Sequence, residues 1–334
     1  MTKANTSRST PLSEPSHQAM EQAAEWFALL RSGEASDADR AQWQAWLASA
    51  RENVDAWHYV ERISRRFEPL QGNPARRAAV SAFQRANEPC LKRRETLLGI
   101  VTLLGVGVLG WGCWSHTPLP GIAMARRADH RTATGEQREI FLSDGTRVWL
   151  NTATAISEDF SIGQRRLRLV AGEILIQTAS DPLRPFLVDT PQGSLYPIGT
   201  RFTVRLDRGE TFVAVYEGAV EVITAGGEGA TLSAGKQTHF TERALAFVEV
   251  ADPARQVWSQ GILLADNIPL ADMVRELRRY RPGHLGLSPE VADLRVFGSY
   301  PINDPDRALA MLESVMPIRV HRRMSWWVSI EPER

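Results

Sequence analysis

Apolar positions recur at helical spacing from about residue 20. Ala23, Trp26, Phe27 and Leu30 follow one another at i, i+3, i+4 and i+7, and Gly33 supplies a stop. Ser36 followed by Asp39 has the pattern of a capping box, since the hydroxyl can accept from a first-turn amide while the carboxylate reaches back. Trp43, Trp46, Leu47 and Ala50 form a second stripe, and a third helix starting near Asn53 carries Ala56, Trp57, Val60, Ile63 and Phe67. The pattern predicts an all-α bundle over 20–68, preceded by a Ser/Thr/Pro-rich disordered tail over 1–19.

The run 96–114 is apolar and carries no charge. At about 1.5 Å rise per residue such a run can cross a hydrocarbon core of about 30 Å, and this predicts a single transmembrane helix. Four glycines, Gly99, Gly105, Gly107 and Gly110, would weaken it in water but are tolerated in lipid. A basic juxtamembrane segment, 69–95, holds Arg76, Arg77, Arg85, Lys92, Arg93 and Arg94, against Arg126, Arg127 and Arg131 beyond the run. That bias predicts an inner-membrane protein with a cytoplasmic N-terminus and a periplasmic C-terminus. Arg93-Arg94 reads either as ordinary topology charge or as part of a twin-arginine export signal.

Beyond a connector at 115–135, period two takes over. Residues 138–142 and 146–150 flank Ser143-Asp144-Gly145, a hairpin pattern. Further strand-and-turn units are expected around Ala171-Gly172, over Phe202 to Leu206, over 212–216 and 220–223, and around Ala234-Gly235. Many short strands between glycine turns predict a periplasmic all-β sandwich or roll over 136–257. The last stretch, 258–334, alternates. Short strands are expected at 262–264, 285–287, 295–300, 318–321 and 326–330, and helices at 270–280 and 304–315, which together make a small α+β module.

Composition narrows the function classes. The 39 Lys and Arg balance the 39 Asp and Glu, so no global charge argues for direct nucleic-acid binding. The two cysteines, Cys90 and Cys113, sit at opposite ends of the apolar run, and a bilayer thickness between them would rule out a disulfide. No spacing of His and Cys suggests a metal, and no phosphate loop or Ser/His/Asp order suggests a cofactor or an enzyme. Four tryptophans in a bundle this small are more aromatic surface than it can bury completely, although helical spacing alone would also suit a core. Across 21–62, Glu21, Glu25, Glu34, Asp37, Asp39, Glu52, Asp55 and Glu61 outnumber Arg31, Arg40, Arg51 and Arg62. An acidic face of this kind suits a basic, nucleic-acid-binding partner as well as it suits water.

The stretches Ala24-Glu25-Trp26-Phe27-Ala28-Leu29-Leu30-Arg31, Trp43-Gln44-Ala45-Trp46-Leu47 and Asn53-Val54-Asp55-Ala56-Trp57 resemble the cytoplasmic domain of FecR-type anti-sigma factors, also called sigma regulators. Residues 139–151, Ala171-Gly172-Glu173, Ile198-Gly199-Thr200-Arg201-Phe202 and Tyr216-Glu217-Gly218-Ala219-Val220 resemble the outer domain of the same family. The tail resembles the short secretin/TonB-type domain that ends many relatives. The resemblance implies an extracytoplasmic-function sigma factor as inner partner, met through Trp26, Phe27, Trp43, Trp46 and Trp57. It implies the signalling domain of a TonB-dependent siderophore receptor as outer partner. Membrane proteases would release the inner domain, membrane lipid would hold the anchor, and Lys92, Arg93 and Arg94 would set topology.

Several relatives cleave themselves at the dipeptide matched by Gly199-Thr200. Attack of a threonine hydroxyl on the preceding carbonyl shifts the acyl group from nitrogen to oxygen, and the ester is then hydrolysed. A plain turn before a strand is the simpler reading of the same glycine. The rival for the whole chain is an anchored envelope protein whose β domain binds glycan or peptidoglycan.

Overall fold

The structure, a computed structural model, describes residues 15–32, 35–71 and 128–333. Three helices come first: α1 (His17–Ser32), α2 (Asp37–Ser49) and α3 (Arg51–Gln71). Strands follow: β1 (His130–Arg131), β2 (Arg138–Phe141), β3 (Arg147–Leu150), β4 (Ala155–Phe160), β5 (Arg165–Ala171) and β6 (Glu173–Gln177). Next are β7 (Phe186–Thr190), β8 (Gly193–Asp207), β9 (Glu210–Thr224), β10 (Gly229–Ser233), β11 (Lys236–Phe240) and β12 (Glu249–Val250). A 3-10 helix, Pro253–Gln260, leads into β13 (Ile262–Pro269), α4 (Leu270–Tyr280), β14 (His284–Leu287) and β15 (Arg295–Pro301). The chain ends with α5 (Pro305–Val315), β16 (Ile318–Met324) and β17 (Trp327–Pro332).

Two compact units result. One holds the described residues of Met1–Glu88, Gly283–Leu294 and Leu312–Arg334; the other holds those of Pro89–Pro282 and Arg295–Met311.

In the first unit, α2 starts at the expected capping box: Asp39 donates its N–H to Ser36 Oγ (3.2 Å), and Ser36 returns its own N–H to Asp39 Oδ2 (2.8 Å). Ala19, Met20, Ala23, Ala24 and Phe27 of α1 close on Ala56, Val60 and Ile63 of α3, the periodic positions of the two helices. Trp326 and Trp327 join the same cluster. Within it Glu21 is buried, accepting from Arg323 Nε (2.7 Å) and Trp327 Nε1 (3.1 Å). In this unit β17 lies between β14, parallel to it, and β16, antiparallel.

The second unit is dominated by a twelve-stranded sheet, ordered β1-β4-β5-β7-β8-β6-β3-β2, with β9 beside β8 and β10, β11 and β12 beyond it. Its register explains its core. Val148, Ile176, Phe202 and Val215 are aligned across β3, β6, β8 and β9, and Leu150, Ile174, Val204 and Val213 form the next row. All eight are fully buried, each worth about 1.5–3 kcal/mol of hydrophobic stabilisation. The hairpin expected at Ser143-Asp144-Gly145 is β2–β3. The strand-turn-strand unit at Ala171-Gly172 is β5 and β6, which turn at Gly172 without pairing with each other, since β5 pairs with β4 and β7 while β6 pairs with β3 and β8. The stretches 212–216 and 220–223 are one strand, β9. In the same unit β13 pairs with β15, and α4 covers exactly the span its period predicts, 270–280.

The membrane-spanning fold class, the single-pass inner-membrane function and the inner-membrane location are corrected. Among the described residues no helix is long and apolar enough to cross a membrane. The 21-residue α3 has the length, but Glu52, Asp55, Glu61, Arg62 and Arg65 stud it, and a charge at the bilayer centre is costly. Residues 17–67 and 324–327, expected on opposite sides of a bilayer, share one hydrophobic cluster. The run 96–114, Lys92, Arg93, Arg94, Cys90 and Cys113, and the tail before residue 15, lie outside the described residues.

Candidate functional site

Two places gather the residues singled out from sequence. On the bundle, α2 buries none of its residues and lies against the other helices through half-buried Trp43, Trp46 and Leu47. Trp43 meets Trp57 of α3 at 5.0 Å between ring centroids, and Trp57 meets buried Phe27 of α1 at 5.8 Å. Trp46 donates its indole N–H to Gln22 Oε1 (2.8 Å). The structure thus brings Phe27, Trp43, Trp46 and Trp57 into one aromatic seam that is still partly open to water. Trp26 is half-buried and lies outside the hydrophobic cluster. The indole nitrogen of Trp43 is buried with no hydrogen-bond partner among the described residues.

The second place is the middle of β8. Ile198 pairs with Ala219 and Arg201 with Glu217, so Gly199 and Thr200 stand opposite the single residue Gly218. This is a two-against-one β-bulge, and Gly199 takes the left-handed conformation (φ +60°) that glycine adopts without steric cost. Gly218 is required for another reason. A Cβ there would sit 2.5 Å from the Gly199 carbonyl oxygen and 2.8 Å from Thr200 Cγ2, and its φ is +76°. The glycine of Tyr216-Glu217-Gly218 therefore makes room for the Gly199–Thr200 peptide.

Thr200 is buried, and its Oγ1 has no hydrogen-bond partner among the described residues. Its backbone is held at both ends by one residue that the sequence did not single out, Thr178, just past β6. Thr200 donates its N–H to Thr178 Oγ1 (3.0 Å), and its carbonyl accepts from the Thr178 N–H (3.1 Å) and hydroxyl (3.3 Å). The next residue, Ala179, is itself clamped: its N–H goes to Thr146 Oγ1 (3.1 Å) and its carbonyl accepts from Arg165 Nη1 (3.1 Å).

That clamp explains Ser143-Asp144-Gly145-Thr146. Asp144 accepts the Thr146 N–H (2.9 Å) and hydroxyl (2.8 Å), closing the turn, and forms an ion pair with Arg165 at 2.6 Å whose two side chains are 2% and 4% exposed. The guanidinium also donates to the carbonyls of Arg184 (3.0 Å) and Asp181 (3.4 Å), so the buried charge is satisfied on every side.

Asn151 and Glu173, which close two of the recognised motifs, build a second buried polar network. Asn151 Nδ2 donates to Glu173 Oε2 (2.9 Å) and to the Tyr280 hydroxyl (2.8 Å), and Arg279 binds Glu173 at 2.6 Å. Glu276 bridges Arg279 (2.8 Å) and Arg205 (2.9 Å). Burial alone would raise the Glu276 carboxyl, but the charges of Arg279 and Arg205 outweigh it and hold the pKa at about 2. Burial raises the Tyr280 phenol well above its usual range, with the Glu173 charge adding to the effect. The contacts Asn151–Tyr280, Glu173–Arg279 and Arg205–Glu276 join residues 129, 106 and 71 apart in sequence, where no local period reports them.

Comparison with known proteins follows the same division. The model of the FecR protein family matches residues 128–221, from the start of the β domain to the second half of β9. The chain carries a FecR-family domain. A domain of unknown function, DUF4880, matches 21–63, the span of the helical bundle. No curated protein matches the chain. Two solved structures of a candidate anti-sigma factor from Parabacteroides distasonis ATCC 8503, at 1.65 and 2.50 Å resolution, share the fold. Each is 22% identical; the TM-scores are 0.51 and 0.50, covering 61% of this chain and 98% and 97% of those chains. The FecR domain holds both the Gly199–Thr200 bulge and the Asp144–Arg165 clamp. Among the described residues no group of three or more His, Cys, Asp or Glu could hold a metal ion.

Proposed function

We propose that the chain is a sigma regulator whose helical bundle binds an extracytoplasmic-function sigma factor through the α2 face. The observation that carries this is the aromatic seam of Phe27, Trp43, Trp46 and Trp57, half-open on a bundle that precedes a FecR domain. The excess of carboxylates along 21–62 favours a basic partner. The small α+β module over 258–334 receives the signal from the signalling domain of a TonB-dependent receptor, and proteases act on the chain once the signal arrives.

The full chain is to be co-expressed with each such sigma factor of the source bacterium, with pull-down and reporter output as readouts. One factor should be captured and its reporter changed, and Trp43→Ala or Trp46→Ala should lose capture while retaining helical circular dichroism. A folded chain that captures none of them ends this reading.

A second reading concerns the bulge: Thr200 Oγ1, buried and without a partner among the described residues, beside a peptide in a left-handed turn, is the nucleophile of a self-cleavage. Thr200 Oγ1 bonds to the Gly199 carbonyl carbon, the carbon–nitrogen bond breaks, and the hydroxyl proton ends on the Thr200 nitrogen. Water then hydrolyses the ester, leaving a Gly199 carboxylate and a free Thr200 amine. Mass spectrometry of the purified chain should find fragments ending at Gly199 and starting at Thr200, absent in Thr200→Ala. An intact wild-type chain that behaves as Thr200→Ala does would count against it.

A further inference from the structure

The geometry points to Thr178 as the positioning residue for cleavage at Gly199–Thr200, its hydroxyl holding the nitrogen of the bond that breaks. This rests on the self-cleavage reading above. Thr178 Oγ1 stands 3.0 Å from that nitrogen and now accepts its N–H. The same hydroxyl lies 3.3 Å from the Thr200 carbonyl, to which it donates, so its one proton has a defined place.

The reaction reverses what the nitrogen needs. As the Gly199 carbon passes from nitrogen to Thr200 Oγ1, the nitrogen loses its amide resonance, gains a lone pair and must be protonated to leave. A hydroxyl both accepts and donates, so Thr178 can keep its bond to the nitrogen by turning its O–H from the carbonyl to the new lone pair. A methyl group in its place could do neither. The Thr200 hydroxyl has no partner among the described residues while its backbone is tied down on both sides, so no competing hydrogen bond holds the attacking oxygen.

Thr178 is well placed to be fixed, because Ala179 is clamped by Thr146 and by Arg165, itself neutralised by Asp144. The FecR-domain turn Ser143-Asp144-Gly145-Thr146 thus reaches the bond to be cut through two hydrogen bonds, Thr146 to Ala179 and Thr178 to Thr200. Gly218 completes the arrangement, since any side chain there would displace the Gly199 carbonyl.

The test uses the full chain and two variants. Thr178→Val keeps the shape and the backbone N–H that binds the Thr200 carbonyl; Thr178→Ser keeps the hydroxyl. Appearance of the fragment starting at Thr200 is followed by mass spectrometry with and without hydroxylamine, which cleaves esters and leaves amides. Melting curves verify that each variant is folded. Thr178→Val should slow cleavage by about tenfold or more, the factor that loss of one ordinary hydrogen bond supplies. Thr178→Ser should restore the wild-type rate to within about threefold. Hydroxylamine should speed fragment release in the wild type and have little effect in Thr178→Val, where ester formation has become slow.

Equal rates for wild type and Thr178→Val overturn the role of Thr178 and leave self-cleavage standing. A Thr178→Ser chain as slow as Thr178→Val also overturns it, because the hydroxyl would then not be what matters. A folded wild-type chain that releases no fragment overturns both readings.

Discussion

In the helical bundle α2 contributes no buried residue, and its tryptophans are half-covered; in the FecR domain two four-residue rows, Val148 to Val215 and Leu150 to Val213, are sealed from water. The charged groups follow the same division. Asp37 and Arg40 of α2 pair at the surface, where such a bridge is worth little. Asp144 and Arg165 pair inside the β domain, and each of the three guanidinium nitrogens of Arg165 also donates to a backbone carbonyl. A bundle of the first kind keeps part of its apolar surface available to another protein, whereas a domain of the second kind can hold a bulged peptide in one fixed geometry.

Arg165→Ala offers the strongest way to break this contrast, because it leaves Asp144 buried and uncompensated. The FecR domain should lose about 3–5 kcal/mol in urea unfolding. A loss under about 1 kcal/mol would mean that the clamp is no more than a surface pair.

Gly218→Ala comes next. A Cβ 2.5 Å from the Gly199 carbonyl, at φ +76°, should cost about 2–3 kcal/mol, read from the same unfolding midpoint. A neutral result would show that the bulge relaxes freely and holds nothing in place.

Acid should act on the network under α4. The folded Glu276 carboxyl, at about 2, lies below the 4.5 of a free glutamate, so its contribution is complete above pH 4.5 and is lost as pH falls towards 2. The loss is on the order of 2 kcal/mol, and Glu276→Gln should flatten that part of the pH profile. An unchanged slope in the variant would assign the acid loss to other groups.

The smallest effect belongs to the bundle. Ser36→Ala removes the α2 cap and should cost about 1 kcal/mol, seen as a lower melting point of the helical signal with the β domain unaffected. A β-domain midpoint that moved with it would unite the two regions the contrast separates.

The elements were more legible than their partners. The span of α4 follows from Leu270, Met273, Val274 and Leu277, and the α2 cap from Ser36 and Asp39, because both signals are local. Strand alternation fixes which face a residue takes but not which strand lies beside it, so Ala171-Gly172 is legible as the joint between two strands, whereas the partners of those strands are not. Glu217-Gly218 reads as a turn between two strands and is a bulge partner within β9, since a glycine serves either purpose. At the candidate cleavage bond, Gly199 and Thr200 stand out as a dipeptide. Thr178 does not, for it follows the last alternating position of β6 and its partner is 22 residues away.

Strand β8 runs unbroken from Gly193 to Asp207, and the bulge lies near its middle. Its first part is stitched to β7 and β9, and its second part to β6 and β9. A chain severed between Gly199 and Thr200 would therefore not come apart on its own. Both halves would stay threaded into the sheet, running as one body on a sizing column and as two bands under denaturant. What changes is the response to load: a continuous chain carries tension along its backbone, whereas a severed one carries it through interstrand hydrogen bonds that give way one row at a time. The bulge is in this sense a perforation, invisible at rest and decisive only when one end is pulled.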